Sequence, residues 1–70
     1  MREINIVFNK TKTRGFSAII QEMPEIEVTA DTLLEVQRHI FQLLPLIMKE
    51  CFHEHSYKVN ISLRLSISNV

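Results

Sequence analysis

The chain has little of what usually staples or specialises a small domain. Its 70 residues hold one cysteine (Cys51), one glycine (Gly15), two prolines and no tryptophan. A single cysteine excludes an internal disulfide and fits a reducing compartment. A single glycine excludes the glycine-rich loops that cradle phosphates or aim backbone donors at an oxyanion. Neither sign of charge is in excess, since eight basic residues balance eight acidic ones. Domains that grip phosphate backbones carry a basic surplus. Lys10, Lys12 and Arg14 form the one basic cluster, and a turn between strands accounts for it, so nucleic acid is not an expected partner of this domain. The apolar stretch from Leu43 to Met48 is far too short to span a bilayer. The start, Met1-Arg2-Glu3-Ile4, puts an acid where a signal peptide is basic. The expected location is the cytoplasm, with no membrane partner.

What is present is a hydrophobic fraction of 46%, ordinary for a folded domain. One domain covering residues 1–70 is expected. A chain this short buries only about 60% of its unfolded surface. With no disulfide available, association is the natural source of further burial. A homo-oligomer, a dimer or higher, is therefore expected.

Hydrophobic period assigns the elements. Ile4, Ile6 and Phe8 alternate with polar neighbours over residues 3–9, which predicts a strand. A polar loop follows from Lys10 to Gly15, and Gly15 can take φ > 0 to close a hairpin. Residues 16–22 form a second strand, with Phe16, Ala18 and Ile20 on one face. Met23-Pro24-Glu25 reads as a break, because proline cannot donate to a central ladder. Ile26 and Val28 then mark a short, acidic edge strand. Thr32-Leu33-Leu34-Glu35 has the form of a capping box, with Asp31 adding charge at the positive end of the helix dipole. Leu33, Val36, Ile40, Leu43, Leu44, Ile47 and Cys51 then fall on one helical stripe. Pro45 predicts either a kink or a separate final turn, and the surviving period favours one bent helix to about Glu50. Residues 57–67 alternate without fault and predict a long last strand. The result is an α+β domain of order β-β-β-α-β. One helix covers one face of a mainly antiparallel sheet, and the last strand lies parallel to the first and beside it.

Candidate chemistry is sparse. Cys51, His53 and His55 lie close together, but His39 would be the one zinc ligand from another segment, and it falls about 120° from Cys51 around the helix. A buried small thiol followed by a polar connection is the preferred reading. A nucleophile pair of Cys51 with His53 or His55 would lack an oxyanion site. Glu22, Glu25, Glu27 and Asp31 could form a carboxylate cluster for a magnesium-dependent nuclease, against the commoner solvated edge strand. The expectation is no catalytic site, no metal and no cofactor. What remains is apolar surface beyond the needs of one core. Leu34, Phe41, Met48 and Phe52 share a shoulder of the helix, and Val7 and Ile19 interrupt the polar outer face of the sheet. Together with Leu63 and Leu65 on the last strand, these are the candidate partner-binding residues. Either they form an interface or the shoulder simply wraps the sheet edge.

The run Gly15-Phe16-Ser17-Ala18-Ile19-Ile20-Gln21-Glu22-Met23-Pro24-Glu25-Ile26 resembles the start of HicB-like antitoxin domains, which show a glycine, an aromatic, one residue, alanine, and later an acid, an apolar residue and proline. Thr29-Ala30-Asp31-Thr32-Leu33-Leu34-Glu35 is similar to the family's helix start, and Leu43-Leu44-Pro45 to a step in a short stand-alone subgroup of unknown function. The likeness spans roughly residues 4–50. It implies a degenerate RNase H-like strand arrangement without nuclease residues. It also implies binding and occlusion of a small HicA-like, mRNA-cleaving toxin, in dimers or larger assemblies. Glu25 stands where the family usually has glycine. The helix-turn-helix or ribbon-helix-helix segment of full antitoxins is not found in these 70 residues, so operator binding is not implied.

Overall fold

Alternation and capping place four strands and one helix, and a computed structural model of the chain, which describes residues 1–11 and 15–64, arranges them in two layers. The strands are β1 (Arg2–Lys10), β2 (Phe16–Ile20), β3 (Met23–Ala30) and β4 (Tyr57–Arg64), with α1 (Leu33–Ile47) between the last two. The sheet order is β3-β2-β1-β4. β1 pairs antiparallel with β2 and β2 with β3, while β4 runs parallel to β1, as the alternation and crossover rule predict. Ile4, Ile6 and Phe8 of β1, with Ala18 and Ile20 of β2, face Val36, Ile40, Leu44, Ile47 and Met48 to form the core. A fully buried Ile or Phe contributes about 2 kcal/mol. The exposed pair Arg2–Glu54, at 2.6 Å, is worth at most about 1 kcal/mol. The core therefore holds the fold, and the ion pair only trims its rim.

Gly15 takes φ +96°, the left-handed region expected at the close of the hairpin. A Cβ there would collide with the Ala30 carbonyl oxygen, so the position needs glycine for space as well as for φ. Its own carbonyl accepts from the Thr11 N–H at 3.2 Å. Lys12 and Arg14 of the basic cluster lie outside the described residues.

The predicted break at Met23-Pro24-Glu25 is corrected. The turn is Gln21-Glu22, Ile20 pairs with Met23, and β3 includes Pro24. Proline is tolerated because β3 is an edge strand and the register shifts there. Ile19 pairs with Glu27 and Ile20 with Met23, which leaves Pro24, Glu25 and Ile26 without partners on β2. A bulge on an edge needs no donor from Pro24.

The helix starts as predicted. The Glu35 N–H donates to the Thr32 hydroxyl at 3.1 Å. The expected return bond to the Thr32 N–H is replaced by one from the Thr32 hydroxyl to the Glu35 carboxylate, at 3.2 Å. α1 runs through Pro45 to Ile47 and continues into a π turn, Met48–Phe52. The end of the helix corrects the apolar stripe. Met48 keeps α-helical dihedrals and donates its N–H to the Leu44 carbonyl, so it extends the row Val36–Ile40–Leu44 into the core. Phe52 packs at the core's rim, and Cys51 is exposed rather than buried. Leu43 is also exposed. The turn ends at His53, whose φ of 55° is left-handed and whose N–H donates to the Met48 carbonyl.

Two stability changes follow from these backbone positions. Gly15→Ala should cost about 1–3 kcal/mol in urea unfolding, from strain and the collision with Ala30. His53→Gly should instead add about 1 kcal/mol by removing a side chain from a left-handed cap. A neutral Gly15→Ala, or a destabilising His53→Gly, would contradict these backbone assignments.

Candidate functional site

Every open sheet ends in two edges, and here they differ. β3 carries the bulge, Pro24 and the acids Glu25 and Glu27, all of which discourage another strand. β4 has no bulge, proline or acid, and its edge charges are Lys58 and Arg64, near its two ends. All eight of its residues pair in register with β1, from Arg2–Tyr57 to Asn9–Arg64. Its other side, among the described residues, faces no strand. Within the described residues β4 has eight residues against nine in β1, so its predicted length up to residue 67 is not measured there. Leu65 and Ile67, named from the sequence as its continuation, lie outside the described residues.

The apolar face of β4 is partly bare. Val59 and Tyr57 are half-buried against the core. Ile61 and Leu63 are 55% and 52% exposed, although their β1 neighbours Ile6 and Phe8 are completely buried. The cause is the position of the helix. α1 lies over β2 and β3, and none of its Cα atoms comes within 8 Å of a Cα of β1 or β4. Cover therefore fades along β4 towards its C-terminal half.

The other candidate residues do not join this surface. Leu34 is 65% exposed and Phe41 39%, both on α1. Met48 is buried in the core and unavailable to a partner, because it continues the row Val36–Ile40–Leu44. Phe52 is half-buried, with the Arg2 guanidinium 4.6 Å from its ring centre. Val7 and Ile19 pair with each other on the opposite face of the sheet, where Val7 is buried by its neighbours and Ile19 is half-buried. Ile61 was not among the predicted binding residues. The alternation that named Leu63 includes it, but nothing local marks where the helix stops covering the strand.

On that opposite face a polar ladder ties β4 to the sheet. The Asn60 amide donates to Glu3 at 2.8 Å and to the Asn5 side-chain oxygen at 3.2 Å. Glu22, on the β2–β3 turn, accepts the Asn5 N–H at 2.8 Å and the Asn5 amide at 2.6 Å. Partial burial would raise the Glu22 pKa, but these Asn5 bonds outweigh it and hold the carboxyl below the ordinary value. Glu22 is thus a staple between the turn and β1, not a member of a carboxylate cluster. Cys51, His53, His55 and His39 are exposed. Among the described residues, no three His, Cys, Asp or Glu side chains come together as a metal site needs. No described helix is long and apolar enough to cross a membrane.

The Glu22 staple has a pH signature. A carboxyl whose folded pKa is depressed adds stability that is complete above its unfolded pKa and is lost as pH falls through the folded value. The wild-type chain should therefore melt higher than Glu22→Gln at neutral pH, with the gap closing in acid below the ordinary carboxylate range. A gap that widens on acidification would refute the staple. Comparison with models of known families, with curated proteins and with solved structures finds no match.

Proposed function

We propose that this chain is a non-catalytic protein-binding domain that takes its partner along β4. The observation that carries this reading is a regular edge strand with no outer strand neighbour among the described residues, bearing two apolar side chains, Ile61 and Leu63, each more than half exposed. Such an edge can accept an added strand, with backbone hydrogen bonds giving affinity and alternate side chains giving specificity. The named partner rests on the sequence resemblance to HicB-like antitoxins. By that resemblance the occupant is a small, basic HicA-like toxin that cleaves mRNA in the cytoplasm, and the chain neutralises it by covering it. A second reading, favoured by the same edge, is a structural homo-oligomerisation module.

The test is to look for a small HicA-like open reading frame beside this gene and to co-express the chain with it. The expected result is a purified complex and restored growth. Leu63→Lys should weaken the complex at least tenfold, about 1.4 kcal/mol, without lowering the melting temperature, because the side chain is already half in water. A complex untouched by both Leu63→Lys and Ile61→Lys would remove β4 from the site. A toxin that the chain neither binds nor silences would end the antitoxin reading.

A further inference from the structure

We infer that, in the free chain, the occupant of the β4 edge is β4 of a second copy, paired antiparallel about a two-fold axis at Ser62. This rests on β4 being a docking edge, as proposed above, and names who docks first.

The choice of occupant follows from the two edges. A second copy offers either β3 or β4. Charge alone would favour β3, since Glu25 and Glu27 could meet Lys58 and Arg64. Exposed ion pairs are worth at most about 1 kcal/mol each, however. The ladder that would have to carry them is broken. β3 keeps regular register with β2 only from Glu27 to Ala30, and Pro24 has no N–H to give. β4 is regular over all eight described residues. Its best mate within the same chain type is itself, and an isologous contact closes at a dimer instead of growing into a filament.

Symmetry and charge then select the register. A two-fold axis between antiparallel edge strands stands perpendicular to the sheet and must pass between a residue and its own copy. Otherwise inward and outward side chains would be set opposite one another. An axis at Ile61 sets Lys58 directly across from the second copy's Arg64, twice, and like charges in that position destabilise. An axis at Asn60 sets two amides together that Glu3 and Asn5 already hold, and matches Ile61 with Val59, which the core already half covers. An axis at Ser62 sets Ile61 against the second copy's Leu63, and Leu63 against its Ile61. The four most exposed side chains of the two apolar strand faces then form one cluster. Arg64 faces an asparagine there, not a lysine. Stable interfaces bury about 800 Å² per partner. One strand edge gives less, so the pair is weak and concentration-dependent, and a stronger partner can displace the second copy from the same edge.

The experiment places a thiol on the axis. With Cys51→Ser removing the exposed native thiol, Ser62→Cys sets two Cα atoms about 4.5–5.5 Å apart, within reach of a disulfide. Asn60→Cys in the same background sets them about 14 Å apart along the strands, out of reach. Expected are a dimer by sedimentation as concentration rises from low micromolar to near-millimolar, a disulfide-linked dimer for Ser62→Cys under mild oxidation, and none for Asn60→Cys. Leu63→Lys should abolish the dimer while the monomer keeps its melting temperature. A monomer at every concentration overturns the inference, as does a disulfide that forms at position 60 instead of 62. If that monomer still loses its toxin on Leu63→Lys, the docking edge survives and self-pairing alone is wrong.

Discussion

One helix has to cover four strands, and it is not wide enough. An α-helix with its side chains is about 10–12 Å across. Four strands spaced about 4.8 Å apart span about 14 Å between the outer backbones, before side chains are added. α1 settles over β2 and β3, and its side chains reach across to bury Ile4, Ile6 and Phe8 on β1. The outer half of β4 is what is left over. The bare Ile61 and Leu63 follow from this geometry, and so does the proposed site.

Two of the chain's scarce special residues, Gly15 and Pro24, sit at the other half of the sheet. Gly15 lets the hairpin press against Ala30, and Pro24 lies in the bulge of β3. Both act near the β2–β3 half, where the helix also packs. The covered half of the sheet is thus also the half whose edge is blunted. The C-terminal half of β4 is left uncovered, on an edge with no bulge or proline.

What keeps β4 in place is its ladder to β1 and the polar face behind it. Asn60 bridges Glu3 and Asn5, and Glu22 fastens Asn5 to the turn. Net contributions of about 0.5–1.5 kcal/mol per hydrogen bond are modest. They orient the strand with its polar residues satisfied on one face, leaving the apolar face as the one that gains from a partner. The rim contact of Arg2 with Glu54 and Phe52 anchors the chain just before β4 begins.

The sequence by itself determined the elements, their order and the two local devices at Gly15 and Thr32. Each depends on a few neighbouring residues: the period of apolar side chains, the absence of a Cβ, a hydroxyl three residues before an acid. It also singled out Leu63, because strict alternation puts that side chain on the core face. Position in the sheet was not local, and there the reading changed. Pro24 looked like a break because its edge position and bulge are visible only once β2 is alongside. Met48 is core and Cys51 surface, the reverse of the reading from the period, because what lies against the last turns is set by the sheet and not by the helix. Val7 and Ile19 looked like surface because neighbours on adjacent strands, not the next layer, cover them. Whether Ile61 and Leu63 lie under the helix or in water depends on where one rigid cylinder rests on a wider sheet, and only the packed tertiary structure decided that.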